Sequence, residues 1–214
     1  MISNWNYGDA YLRHPCDQGE IAFADGSMAK SCDLTREMPD FMKRADLLFI
    51  DPPWTQSNLS AFYAKAGLIC EIEYPAFLEA LFERIAQIAP NTCYVEIGKE
   101  YLPETVISMR KLFHQVTFYN SYYYHRSHNL CYVVRGGKKR PRARLDGLDE
   151  EEIIEWICKN ETYSCIGDLC MGRGLVGVNA FKNNKPFVAT ELNHRRLSVL
   201  LEQIIKLGGA YKKV

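Results

Sequence analysis

Short apolar runs alternate with longer amphipathic stretches along most of the chain, the pattern of strands and helices in an α/β sheet. The runs predict seven strands: Ile21 to Ala24, Leu47 to Ile50, Thr92 to Ile97, Val116 to Tyr119, Leu130 to Val134, Ser164 to Gly167 and Phe187 to Thr190. Between Tyr74 and Ile88, the residues Phe77, Leu78, Leu81, Ile85 and Ile88 recur at helical spacing and predict a helix. A second helix is predicted over Glu104 to Phe113. A third, Asp149 to Cys158, begins with an acidic first turn that suits the helix dipole. A fourth, Arg195 to Lys206, carries Leu197, Leu200, Leu201, Ile204 and Ile205 on one side. The stretch from Gly136 to Arg144, GGKKRPRAR, is too polar and too rich in Gly and Pro for either element and reads as an exposed connection.

A chain of 214 residues, 47% hydrophobic, can bury one sizeable core, so one domain over 1–214 is expected. Lys+Arg and Asp+Glu number 26 each, so any contact with a polyanion must come from a local basic patch rather than an overall positive field. The cysteines Cys16, Cys32, Cys70, Cys93, Cys131, Cys158, Cys165 and Cys170 form no C-x-x-C pair, which points to a reducing compartment and no zinc site. No signal architecture opens the sequence and no apolar run approaches the roughly 18 residues a membrane span needs, so a soluble, cytoplasmic protein with no membrane partner is expected.

The sharpest chemical signal is Asp51-Pro52-Pro53-Trp54, directly after the apolar run Leu47 to Ile50. That position is the carboxyl end of a buried parallel strand, where open α/β sheets place their ligands. Two prolines fix the backbone after the carboxylate and leave carbonyls free to accept. An amino group has two hydrogens to give; Asp51 and the Pro52 carbonyl can take both, aligning the nitrogen lone pair with an incoming methyl group, while Trp54 offers a stacking face. The competing interpretation is a proline-rich turn, which needs neither the acid nor the aromatic.

A second signal, Asp168 to Gly177 (DLCMGRGLVG), follows a short strand. Its glycines let a turn approach a ligand closely and open a helix. The strand Phe187 to Thr190 then ends in Glu191, about 20 residues on, the offset at which an acid meets ribose hydroxyls in a nucleotide-binding βαβ unit.

Together these motifs resemble the amino methyltransferases that act on DNA adenine or on cytosine N4. Asp51 to Trp54 matches their Asp/Asn/Ser-Pro-Pro-aromatic tetrapeptide, and Asp168, Gly172, Gly174, Glu191 and Asn193 look like their Asp-x-x-x-Gly-x-Gly and Glu-x-Asn cofactor motifs. The catalytic motif precedes the cofactor motif, as in the permuted β-type members. The resemblance implies a Rossmann-like S-adenosylmethionine-dependent methyltransferase fold, with a mixed seven-stranded sheet and one antiparallel hairpin. It implies S-adenosyl-L-methionine as cofactor, held by Asp25, Asp168, Cys170, Gly172, Gly174, Glu191 and Asn193. Asp25, at the end of Ile21 to Gly26, would approach the adenine. It implies direct methyl transfer to adenine N6 of a flipped DNA base, with Asp51, Pro52, Pro53 and Trp54 as the catalytic residues.

Two features depart from the pattern. GGKKRPRARLDGLDEEEIIEWI replaces the His-Pro-x-x-Lys-Pro segment of many β-type members, and a large recognition insert is missing. Site selection then falls to a segment at about 120–148, to a homodimer or to a second recognition subunit. In that segment the tyrosine run Tyr122-Tyr123-Tyr124, Tyr122 and Tyr124 foremost, with Arg126 at the predicted hairpin tip, and Lys138, Lys139, Arg140, Arg142 and Arg144 in the basic run, are candidates for gripping nucleic acid. The alternatives for these residues are half-buried strand-end aromatics and a solvated loop. RNA adenosine is the alternative substrate, because the messenger-RNA adenosine methyltransferases carry Asp-Pro-Pro-Trp in the same order; the Asp168 to Gly174 motif looks more like the DNA enzymes. A non-catalytic nucleic-acid-binding subunit is a further alternative, opposed by retention of both motifs.

Overall fold

The computed structural model describes residues 7–16, 19–123, 126, 128–141 and 143–214. Its strands are β1 (Glu20–Phe23), β2 (Met28–Ser31), β3 (Leu47–Ile50), β4 (Thr92–Ile97), β5 (Gln115–Tyr122), β6 (Leu130–Gly137), β7 (Ile166–Asp168), β8 (Phe187–Glu191) and β9 (Tyr211–Lys213). They form one mixed sheet in the order β5-β6-β4-β3-β7-β8-β2-β1-β9. The five central strands β4, β3, β7, β8 and β2 run parallel, and β6 and β1 flank them antiparallel. The helices are α1 (Ala10–Arg13), α2 (Gln56–Lys65), α3 (Tyr74–Ile88), α4 (Leu102–Leu112), α5 (Glu150–Asn160), α6 (Leu175–Lys182) and α7 (His194–Lys206).

Strand β3 shows why the centre of the sheet reads as a continuous apolar run. Leu47 and Phe49 join a core with Ile153, Ile157, Leu200 and Leu201 of α5 and α7. Leu48 and Ile50 join a second core on the other face, with Phe77, Leu81 and Ile85 of α3 and Met109 of α4. A strand covered on both faces has no polar side to show. Before β3, Asp46 accepts from the Ser164 and Cys165 backbone N–H groups at 3.0 to 3.1 Å, tying β3 to the approach of β7.

The sheet has nine strands rather than the expected seven; β2 and β9 are the additions. The second antiparallel unit, β1–β2, relocates Asp25. It lies in the tight turn between these strands, where it accepts from Ser27 N at 2.9 Å and Ser27 Oγ at 3.0 Å. Ser27 Oγ in turn accepts from Phe187 N at the start of β8. Asp25 is therefore at the amino edge of the parallel strands, opposite the edge where Asp51 lies.

The Gly136 to Arg144 stretch also differs from expectation, because Gly136 and Gly137 are the last residues of β6, paired to β4 and β5. Glycine is required at 136 because α4 closes over the strand: a Cβ there would lie 2.4 Å from Phe113 and 2.9 Å from Met109. The eight cysteines are free thiols. No helix among the described residues is long and apolar enough to cross a membrane.

Overpacking of this kind costs about 1–3 kcal/mol. Gly136→Ala should lower the urea-unfolding free energy by that amount, and wild-type stability would show that α4 can move aside freely.

Candidate active site

The parallel strands deliver acids to one edge of the sheet. Asp51 follows β3, Asp168 ends β7, Glu191 ends β8, and Cys32 and Asp33 follow β2. All five line a single cavity of about 530 Å³, with apolar walls from Leu34, Phe77, Ile154 and Val176. The cavity also takes Tyr123 from beyond β5, Glu150 from the first turn of α5, and Arg173 and Arg196.

Asp51 is held by two donors. Trp54 Nε1 donates to its Oδ1 at 3.0 Å and the Tyr123 hydroxyl donates to its Oδ2 at 2.9 Å. The two rings pack edge to face, with centroids 5.3 Å apart. Trp54 is braced from behind by Gly98, where a Cβ would lie 3.1 Å from the indole. The Tyr74 hydroxyl, fully buried, donates to the Pro53 carbonyl at 2.6 Å and fixes the course of the Pro-Pro turn. Burial pushes the Asp51 carboxyl up to about 6, while the bonds from Tyr123 and Trp54 and the charge of Arg196 hold it down.

Asp168 is buried and accepts from Cys170 N at 3.0 Å, and Glu191 accepts from Gly172 N at 2.8 Å and Asn193 N at 2.9 Å. Burial raises both carboxyls, and Arg196 offsets the rise at Glu191. These bonds use one lone pair of each oxygen concerned and leave another for a ligand.

Two residues of the cofactor motif do structural work. Gly174 has φ +86 and packs against Leu200, where a Cβ would lie 2.6 Å away, so its backbone serves the entry into α6. Asn193 caps α7 by accepting from Arg195 N at 3.0 Å, and its amide donates to Tyr7 Oη and Lys65 O. Neither lines the cavity. Asp25 does not reach it either, and the end of β2, Cys32 and Asp33, fills the place foreseen for it. The Asp33 carboxylate accepts from Thr35 and from the Tyr63 hydroxyl at 2.8 Å.

The candidate nucleic-acid residues divide by location. Tyr122 closes β5 beside Tyr123, and Arg126 is exposed beyond it at the carboxyl edge; neither lines the cavity. Lys138, Lys139 and Arg140 leave β6 where Gly137 pairs with Thr92, the first residue of β4. Strand β4 is six residues long, so this basic run is roughly 20 Å from the carboxyl edge. Lys138 donates to Asn91 there at 2.7 Å. Arg144 is exposed on the segment that climbs back along β5. Tyr124 and Arg142 lie outside the described residues.

Sequence reasoning singled out the run Tyr122-Tyr123-Tyr124 for contact with nucleic acid but not the bond of Tyr123 to Asp51, and it passed over Glu150 and Glu96. The signal for Glu96 was available: an acid inside the apolar run of β4, Thr92-Cys-Tyr-Val-Glu-Ile97, is costly unless it has a use.

No family model matches the chain, and no curated protein sequence matches it. Solved structures do. The M1.HpyAVI–SAM complex superposes with a TM-score of 0.57 at 14% identity, covering 82% of this chain and 98% of that one. TTHA0409 from Thermus thermophilus, complexed with S-adenosyl-L-methionine, gives 0.59 at 12%, covering 83% and 93%. The cytosine-N4-specific PvuII DNA methyltransferase gives 0.54 at 10%, covering 85% and 90%. At these identities the likeness establishes a shared α/β fold with its mixed sheet.

Removing the Tyr123 hydroxyl should destabilise the Asp51 carboxylate. In Tyr123→Phe, the Asp51 titration followed by carbon NMR should move above its wild-type midpoint near 6; an unmoved or lowered midpoint would mean that this hydrogen bond does not hold the charge.

Proposed function

We propose that this protein is an S-adenosylmethionine-dependent DNA methyltransferase acting on an exocyclic base amine, with adenine N6 the favoured target. The observation that carries the reading is Asp51. It is a carboxylate at the end of a central parallel strand, fixed by Trp54 and Tyr123, in one cavity with the strand-end acids Asp168 and Glu191. The residues fit the cofactor. A cavity of about 530 Å³ suits a small-molecule ligand, and Glu191 keeps lone pairs for ribose hydroxyls. Similarity in fold to structures solved with S-adenosyl-L-methionine supports the same reading.

When bound, the cofactor supplies a methyl group already activated by the sulfonium charge. The protein must then orient the acceptor and stabilise the positive charge that develops on it. Asp51 does both, taking one amine hydrogen in place of, or alongside, the Tyr123 hydroxyl. The second hydrogen is assigned to the Pro52 carbonyl, because Tyr74 engages that of Pro53, although Pro52 and Trp54 stand behind the cavity lining that Asp51 and Pro53 form. A base in duplex DNA must first leave the stack at a cost of a few kcal/mol, which contacts in the cavity partly offset. On this reading the strand is gripped by the hairpin tip with Tyr122 and Arg126, which lies at the carboxyl edge, rather than by the Lys138–Arg140 run at the other end of β6.

The test is incubation with labelled cofactor and separate DNA and RNA pools, followed by mass spectrometry of the nucleosides. N6-methyldeoxyadenosine supports the reading. N4-methylcytosine would move the target base, N6-methyladenosine in RNA alone would move the substrate, and no methylated nucleoside would overturn it.

Asp51→Ala should cost roughly 3 kcal/mol or more of barrier while leaving cofactor affinity nearly unchanged, on the scale of deleting one oriented transition-state partner. Glu191→Ala should do the reverse, weakening cofactor binding by about tenfold or more as measured by calorimetry, because charge-assisted bonds are lost. Swapped phenotypes would invert the two assignments.

A further inference from the structure

Strand β4 buries a charge-bearing group with no visible purpose in the fold. Glu96 has no exposed surface, and among the described residues no nitrogen or oxygen donor meets its carboxylate oxygens; the weakly donating Cys131 thiol is its one polar neighbour of that kind. An ionised carboxylate so placed is expensive, whereas a protonated one is not. The side chain is aimed at two others: one oxygen from each of Asp51, Glu96 and Glu150 lies within 4.8 Å of the other two. Glu150 is placed there by the cap of α5, in which Asp149 accepts from Glu151 N and Glu152 accepts from Asp149 N.

The surroundings are those of a proton-sharing group. Asp51, Glu150 and Asp149 face Glu96 with negative charge, with the Cys131 thiol beside it. Glu150 additionally faces Asp149, Glu151 and Asp168. Arg196 is the cation felt at Asp51. Burial first, and these like charges second, hold Glu96 well above the carboxylate range and raise Glu150 to about 9. Of the three, Asp51 is held closest to the ordinary carboxylate range and so ionises first, while Glu96 and Glu150 hold their protons more strongly.

Resting on the amine-methylation reading, we propose that Asp51, Glu96 and Glu150 form a proton-release path, by which the proton shed by the methylated amine leaves the buried site. The amine nitrogen bonds to the methyl carbon as the carbon–sulfur bond breaks, its electron pair staying on sulfur. The nitrogen becomes cationic and the sulfur neutral. The nitrogen then gives one proton to the Asp51 carboxylate. Asp51 passes a proton to its carboxyl partners as Glu150, which lines the cavity, yields one to water. The trio ends with the charge it began with. Glu96 and Glu150 act through Asp51 and are positioning residues.

Two measurements test this, one without any substrate. In infrared spectra of the protein alone near pH 7, buried protonated-carboxyl bands should be present, and Glu96→Gln and Glu150→Gln should each remove one. In single-turnover methylation of an adenine-containing DNA duplex, both variants should bind the cofactor within about twofold of wild type yet transfer at least about tenfold more slowly, with an altered pH profile. Glu96→Asp and Glu150→Asp, which keep a titratable group, should recover part of the rate. Unchanged infrared bands, or a Glu96→Gln rate and pH profile equal to wild type, would overturn the path. So would binding of Mn²⁺ by the wild-type protein that Glu96→Gln abolishes, since the trio would then be a cation site. If the wild-type protein methylates no amine, the reaction and the path fall together, while the infrared bands still report whether the trio holds protons.

Discussion

The constraint on which this structure turns is the burial of carboxylates along one edge of a sheet. Asp51, Asp168, Glu191 and Glu96 come from four of the five parallel strands or the residue just beyond them, and Glu150 joins them from α5. A low-dielectric interior penalises each ionised group unless it is hydrogen-bonded or paired. The fold answers mainly with fixed dipoles: backbone N–H groups for Asp168 and Glu191, indole and phenol for Asp51. The helices after β3, β7 and β8 begin at this same edge, so their positive ends add to the compensation. Arg196, in the first turn of α7, is a cation on a long, flexible side chain where most of the compensation is rigid. Among the described residues Glu96 has only the Cys131 thiol beside it, and burial holds its carboxyl well above the ordinary carboxylate range.

How far the sequence reveals this depends on whether a residue's role is local. Leu47 to Ile50 and Thr92 to Ile97 are unbroken apolar runs but for Glu96, and their predicted limits match the observed strands. Tyr74 to Ile88 matches too, because its apolar stripe repeats for four turns. Strand β2, Met-Ala-Lys-Ser, has only Ala29 and Ser31 buried, and β9 is Tyr-Lys-Lys, so neither has an apolar signature. With β2 unrecognised, the acid expected in the cavity was placed at Asp25, in the β1–β2 turn, whereas the acid that lines the cavity is Asp33, just beyond the other end of β2. Helix α2 buries only Leu59 and Tyr63, too few for a periodic signal.

The site was legible where an acid ends an apolar run: Asp51, Asp168 and Glu191 each stop a strand. Tyr123 was legible only as part of the tyrosine run 122–124, because its bond to Asp51 depends on strand order. From the sheet edge it reaches across β6 and β4 to Asp51, a contact 72 residues away in sequence. Glu150 reads in isolation as complementing a helix dipole, and only the packing of α5 against the sheet turns it toward the other acids. Asn193 fits a cofactor motif by spacing, but spacing does not reveal that its side chain is consumed in capping α7 and in bonds to Tyr7 and Lys65.

The same charge distribution restricts how a nucleic acid could approach. A cavity lined by the carboxyl groups of Asp33, Asp51, Glu151 and Glu191, with the protonatable Glu150 and Asp168 beside them, favours neutral over anionic ligands, with Arg173 and Arg196 as its cations. A neutral base pays no such penalty, and its amino group finds acceptors throughout the lining. On the proposed reading the backbone therefore stays at the rim while a single nucleotide turns inward. Entry by a flipped base is then a consequence of electrostatics as well as of depth. Rim contacts to phosphate would contribute affinity without reading sequence, so discrimination among bases falls to the acceptor pair at Asp51 and Pro52 and to the aromatic wall of Tyr123. That wall belongs to the β5–β6 hairpin, whose tip also presents Tyr122 and Arg126. On that reading the hairpin that meets the nucleic acid at the rim also reaches, through the Tyr123 hydroxyl, the Asp51 carboxylate at the end of β3.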